Sequence, residues 1–192
     1  MAAPDWEIVI VRHGATEWSH TGRFSGHMDI PLSAAGRAQT AELGRRLRHP
    51  QPEIILSSDL RRARQTAEAI ATGARIDPRQ IVISRDLREE FLGSWEGRTR
   101  AEVAIASPAG FARWRSGDVG SFDGREGLVA VASRAVPVLF AHTTEPPRFS
   151  GRLVVVTHAN TTLALIGSLT GVRYELWADL PCPAPAQAVV LG

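Results

Sequence analysis

The chain has 192 residues, and 22 basic against 20 acidic side chains leave a formal net charge of +2. Every one of those basic residues is arginine, since no lysine occurs, which excludes a GK[ST] phosphate loop, a kinase strand lysine and Schiff-base chemistry. The near-neutral balance, with no basic tail and no arginines interleaved with stacking aromatics, speaks against nucleic-acid binding, and 44% hydrophobic residues over this length suit one compact domain spanning 1–192.

The N-terminus has neither the basic leader nor the apolar run of a signal peptide, and no stretch reaches the roughly 18 apolar residues of a membrane span. The expectation is a cytoplasmic protein without membrane contact. Trp6–Val11 reads as a first buried strand, running into Arg12-His13-Gly14. Ser33 can cap a helix over Ala34–Arg48, with Leu43 and Leu47 one turn apart. A second strand, Glu53–Leu56, leads to Ser58, placed to cap a helix that reaches Ile70 and stops near Gly73. Gln80–Ile83 is a third strand. Residues 93–127, rich in Gly, Arg and Trp with weak periodicity, read as a loop-rich insertion over the sheet. Leu128–Ala141 is helical, with Pro137 able to kink it. Leu153–Thr157, Thr161–Leu169 and Gln187–Leu191 complete the pattern as strand, helix and strand. The single cysteine, Cys182, excludes an intrachain disulfide and a Cys-clustered metal site, and reads as a small apolar filler between Pro181 and Pro183.

Continuous, β-branched strands alternating with helices predict a three-layer α/β/α sandwich around a mostly parallel sheet. Functional groups then belong beyond the carboxyl ends of the strands. His13 leaves the first strand beside Arg12, with Gly14 allowing a tight turn; a neutral imidazole there is a nucleophile and Arg12 a two-pronged phosphate holder, although the three residues alone could equally be a solvated basic turn. In Ser58-Asp59-Leu60-Arg61-Arg62-Ala63-Arg64, the stripe Leu60, Ala63 and Ala67 is buried, Arg62 lies at its border near an anion-favouring helix start, and Arg61 and Arg64 look outward. Glu89, Glu90 and Glu96 are all candidate proton donors, because a carboxyl among apolar neighbours can hold its proton. His158, leaving the apolar run Val154-Val155-Val156, is again presented at the edge, where as imidazolium it could bind phosphate oxygens.

Taken together and in this order, these blocks resemble the histidine phosphatase superfamily, the group that includes cofactor-dependent phosphoglycerate mutases and many small phosphatases. The run Val11-Arg12-His13-Gly14-Ala15-Thr16-Glu17-Trp18, followed by Gly22-Arg23, Gly26, Asp29-Ile30-Pro31-Leu32-Ser33 and Gly36, carries the likeness. The resemblance implies a phosphoglycerate mutase-like fold, His13 as the phosphorylated nucleophile, Arg12, Arg62 and His158 as the rest of the phosphate pocket, and Glu89 rather than Glu90 or Glu96 as proton donor. It also points to Ser19, Ser25, Gly26, Ala159 and Asn160 as phosphate or substrate contacts, with neither metal nor other cofactor. Ser19 stands where many members have asparagine, Ala159 where glycine is usual, Leu92 where mutases carry tyrosine and Leu163 where an arginine often follows the second histidine.

The expected activity is hydrolysis of small-molecule phosphomonoesters, such as sugar phosphates. Phosphoglycerate mutase-type transfer is the enzymatic rival; the resemblance associates it with a longer insertion carrying paired arginines after a tryptophan, where this chain reads Arg113-Trp114-Arg115-Ser116. A non-catalytic phospho-ligand-binding relative is the third reading, opposed by the retention of nucleophile and proton donor together. Trp95, Phe111, Trp114 and Arg115 are candidate substrate contacts from the insertion, the alternative being that the aromatics anchor it to the domain. An exposed edge near the fourth helix could support a homodimer.

Overall fold

A computed structural model describes residues 6–143 and 151–191; the N-terminal leader reading therefore falls partly outside the described residues. In chain order the elements are β1 (Trp6–Arg12), α1 (Glu17–Thr21), α2 (Ala34–Arg46), β2 (Ile54–Ser58), α3 (Arg61–Ala74), β3 (Val82–Ser84), α4 (Arg100–Ala106), α5 (Pro108–Arg115), α6 (Leu128–Thr143), β4 (Gly151–Thr157), α7 (Ala159–Thr170) and β5 (Ala188–Leu191). The strands lie in the order β3-β2-β4-β1-β5, all parallel except β5. Among the described residues no helix is long and apolar enough to cross a membrane.

Side chains alternate across the sheet, and the strands sort accordingly. Val9, Val11, Ile55, Val154 and Val156 face one layer, packing on Leu43 of α2 and on Ala63, Ala67 and Ile70 of α3. Ile8, Ile10, Leu56, Leu153 and Val155 face the other, against Ala135 and Leu139 of α6 and Leu165 and Ile166 of α7. Both sides of β1, β2 and β4 are therefore apolar, which is why these strands read as unbroken hydrophobic runs.

Departures from the expected elements have local causes. Ser58 does not cap α3; it stays in β2, and the helix starts at Arg61, whose backbone N–H donates to Asp29 Oδ1 at 2.7 Å. A carboxylate from a distant loop satisfies the helix start, while Ser58 Oγ accepts from the Leu60 N–H at 3.3 Å and turns to the site. The helix ends at Ala74, near Gly73 as expected, with Arg75 in the left-handed conformation closing it. Gly73 itself lies against Gly44 of α2, where an added Cβ would come within 2.4 Å of the Gly44 carbonyl carbon, so it also marks a close helix crossing. The third strand begins two residues late, after a 3-10 turn at Pro78–Gln80, and is a half-exposed edge rather than buried, with Ile83 45% exposed. Segment 93–127 is less irregular than expected, holding α4 and α5.

Candidate active site

The parallel strands β2, β4 and β1 are neighbours, so their carboxyl ends bring Ser58, His158 and His13 side by side. The backbone N–H of His13 donates to Thr157 O at 2.9 Å, extending the ladder by one step past the strands. The two imidazoles meet edge-on with centroids 5.1 Å apart. His13 Nδ1 lies 2.8 Å from the Gly14 carbonyl, which only accepts; Nδ1 therefore carries the proton and Nε2 the lone pair. Burial, and after it the Arg62 cation, hold the His13 pKa well below its usual value. The ring is thus neutral, with its one lone pair on Nε2.

That nitrogen accepts from Arg62 Nε at 3.2 Å. Arg62 has no exposed surface, deeper than the border position expected for it, and its remaining nitrogens donate to the carbonyls of Met28 at 2.7 Å and Gly26 at 2.8 Å. Burial lowers its pKa to about 10, opposed by Glu89, Asp29 and Glu96, so it stays cationic at neutral pH. Gly26 serves through its carbonyl: φ is 46° there, and a Cβ would lie 2.1 Å from Glu96 Oε1. Arg61 and Arg64 are exposed, as expected.

His158 hydrogen-bonds through Nε2 to Ser58 Oγ at 2.9 Å, and its Nδ1 is buried without a partner. Burial, then Arg62 and His13, push its pKa well down. The expected imidazolium is corrected to a neutral ring, which an arriving phosphate dianion would have to charge. Arg12 is half-buried at the end of β1 and donates through Nη1 to Pro183 O at 3.0 Å. Its other neighbour is Cys182 Sγ at 3.8 Å, an exposed thiol facing the site rather than an apolar filler.

Glu89, 8% exposed, presents its carboxylate to the start of α7. Oε1 accepts from the backbone N–H groups of Glu90 at 2.9 Å, Asn160 at 3.1 Å and Thr161 at 3.3 Å. Its carbonyl is pinned from behind by Arg134 Nη2 at 2.9 Å and by His27 Nε2 at 2.8 Å. The rival carboxylates are engaged elsewhere: Glu90 with Arg125, and Glu96 with the backbone N–H groups of His27 and Leu92. Asn160 turns its side-chain amide to Glu90 Oε2 at 2.6 Å. Ser19 closes a capping box with Thr16 at the start of α1, and the Ser25 carbonyl receives Met28 N–H in the loop that holds Arg62.

From Arg12 a cleft of about 700 Å³ runs beneath segment 93–127. Phe111, Trp114 and Arg115 of α5 line it, with Arg100, Asp118 and Asp179; Ala159 and Leu163 form part of the floor. Trp95 does not reach it. That indole is 1% exposed, packed with Leu92, Val103 and Phe122, and anchors the roof. Sequence reasoning missed Ser58 as a histidine partner, because it read as a cap, and Arg134, whose signal was a lone arginine in the otherwise apolar run of α6.

Comparison with known proteins agrees with this geometry. The profile of the histidine phosphatase superfamily (branch 1) matches residues 8–192. The chain is 35% identical over 178 residues to a glucosyl-3-phosphoglycerate phosphatase of Mycolicibacterium vanbaalenii, covering 90% of this chain and 78% of that one. It is 30% identical over 167 residues to a metal-independent phosphoserine phosphatase of Arabidopsis thaliana, covering 85% and 68%. The solved mycobacterial glucosyl-3-phosphoglycerate phosphatase in complex with VO3 superposes with a TM-score of 0.89 at 30% identity, over 97% of this chain and 90% of the other.

Proposed function

The chain belongs to branch 1 of the histidine phosphatase superfamily, and from that premise we propose that His13 is its nucleophile, Glu89 its proton donor, and Arg12, Arg62 and His158 the groups that hold the transferring phosphoryl. It is a metal-independent phosphatase of small phosphate esters, in a family that works through a phosphohistidine. His13 Nε2 attacks phosphorus in line while the Glu89 carboxyl gives its proton to the departing alkoxide. Glu89, now a carboxylate, takes a proton from water, the resulting hydroxide displaces His13 from phosphorus, and inorganic phosphate leaves. Arg12 and Arg62 supply fixed positive charge without reorganisation during transfer. The observation that carries this reading is the Gly14–His13–Arg62 arrangement, which fixes the tautomer and sets the ring's one lone pair, on Nε2, beside a buried guanidinium.

The cleft accommodates the leaving group. Arg100 and Arg115 place cations there and Asp118 and Asp179 place hydrogen-bond acceptors, which fits a hydroxyl-bearing ester with a second anionic group, a soluble metabolite of the cytoplasm. Glucosyl-3-phosphoglycerate, named for one relative, is of that kind, and phosphoserine, named for another, shares the second anionic group. A panel including both, sugar phosphates and simple alkyl phosphates, scored for phosphate release, tests the reading. A kcat/KM about tenfold or more higher is expected for esters carrying an anionic group besides the phosphate; equal turnover of an alkyl phosphate with no charge beyond the phosphate contradicts it. Supplying 3-phosphoglycerate with a trace of 2,3-bisphosphoglycerate separates hydrolysis from transfer: free phosphate should form faster than 2-phosphoglycerate.

A further inference from the structure

Beneath the roof, in the lining of the cleft, lies a charged cluster of little exposed surface that the reaction does not consume. Glu90 has no exposed surface and Arg125 is 5% exposed. Arg125 Nη2 donates to Glu90 Oε1 at 2.5 Å, and the Gly127 N–H reaches the same oxygen at 3.3 Å. Trp95 and Phe122 pack the guanidinium, with ring centroids 5.0 and 4.6 Å from Cζ, while Nε and Nη1 have no hydrogen-bond partner. Such a pair is a poor stabilising device, because desolvation offsets its attraction and an apolar replacement is often neutral or better. Its remaining contact is more informative. Glu90 Oε2 receives the Asn160 side-chain amide at 2.6 Å, and Asn160 and Thr161 are the residues whose backbone N–H groups hold Glu89 Oε1.

We propose that Arg125, Glu90 and Asn160 form a positioning relay from the roof to the proton donor. Trp95 and Phe122 set Arg125, Arg125 sets Glu90, Glu90 sets Asn160, and the first turn of α7 then aims the Glu89 carboxyl at the leaving-group oxygen. In this relay the three side chains act through Glu89. The inference rests on Glu89 being the donor, and its chemical consequence is a dependence on the leaving group. An alkyl phosphate departs as a strongly basic alkoxide and needs the proton, whereas p-nitrophenolate is stable without it. A donor misplaced by about 1 Å can lose on the order of 100-fold in rate, and the loss falls on the alkyl ester.

Single-turnover phosphorylation of the enzyme by glycerol phosphate and by p-nitrophenyl phosphate tests this, with Glu89→Gln as reference. The reference should lose about 100-fold or more on the alkyl ester and under about 5-fold on the aryl ester. Asn160→Ala, which cuts the last link without stranding a charge, and the double variant Glu90→Gln/Arg125→Met, which removes both charges, should lose about 10- to 100-fold on the alkyl ester and under about 3-fold on the aryl ester. Thermal melts within about 5 °C of the parent would show the fold intact. Equal losses on both esters, or none, in Asn160→Ala while Glu89→Gln discriminates between them, would overturn the relay and leave the donor assignment standing. A Glu89→Gln variant that fails to discriminate would overturn the donor assignment, and the relay with it.

Discussion

At the sheet edge, Arg62 and His158 have no exposed surface and every Arg62 nitrogen has a partner, whereas in the roof Arg100 and Arg115 are exposed and stand over an open cleft. Arg100 rests on the Trp114 ring, 5.6 Å from its centroid. The first region is built from strand ends and backbone carbonyls, so its geometry is set by the fold. The second is built from two short helices held by an aromatic cluster, and its polar groups point at whatever enters. In the proposed assignment, buried and pre-oriented charge acts on the phosphoryl group, which is common to all phosphate esters; exposed charge is screened and suits recognition of the part that varies. Substitutions in the two regions should therefore differ in kind as well as size.

The largest effect belongs to the edge. His13→Ala should reduce kcat by at least about 10⁴-fold on every ester, measured by phosphate release, because it removes the proposed phosphoryl acceptor. Arg62→Met comes next. It removes charge from the proposed phosphoryl site and leaves the buried Gly26 carbonyl and the part-buried Met28 carbonyl without their donor, so a loss of about 10³-fold in kcat should come with destabilisation of roughly 1–3 kcal/mol in urea unfolding.

An effect of intermediate size follows from the two histidines. Both have folded-state pKa values well below the ordinary imidazole value, chiefly through burial. The unfolded chain takes up protons near pH 6.5 and the folded chain does not, so stability is retained above that pH and falls as the pH drops below it. Urea unfolding between pH 7.5 and 5 should show a slope of up to about 1.4 kcal/mol per pH unit for each histidine, reduced by one group in His158→Asn. Saturating phosphate should flatten the slope, since an anion favours the charged rings; a slope unaffected by His158→Asn would contradict the assignment. The smallest effect belongs to the roof. Arg115→Ala should raise KM by about 3- to 10-fold for doubly anionic esters and leave kcat unchanged, as expected for one exposed ionic contact.

The same division decided what the sequence could disclose. Strands buried on both faces announce themselves, and topology places Arg12, His13 and His158 at the sheet edge directly after them; choosing a phosphate site over a solvated basic turn took the resemblance. Arg62 needed the resemblance as well, since a helical stripe located it only to a border. Side chains whose partners come from far along the chain were illegible. Asp29 caps α3 across 32 residues, Glu90 meets Arg125 across 35 and Arg134 reaches Glu89 across 45, and no local pattern encodes those encounters. Gly73 marked the end of α3 to within one residue, but its contact with Gly44 across the helix crossing had no local signal. The roof helices were missed because α4 and α5 have seven and eight residues, too short for periodicity to show.

The central claim is that His13 Nε2 carries the phosphoryl group between ester and water. Rapid acid quenching of the enzyme during turnover of a ³²P-labelled ester, followed by peptide mapping under alkaline conditions that preserve phosphohistidine, measures this directly. Label confined to the peptide containing His13, formed at least as fast as turnover and absent from His13→Ala, is the predicted result. Turnover that proceeds with no label on His13, or with the label on His158, would contradict it.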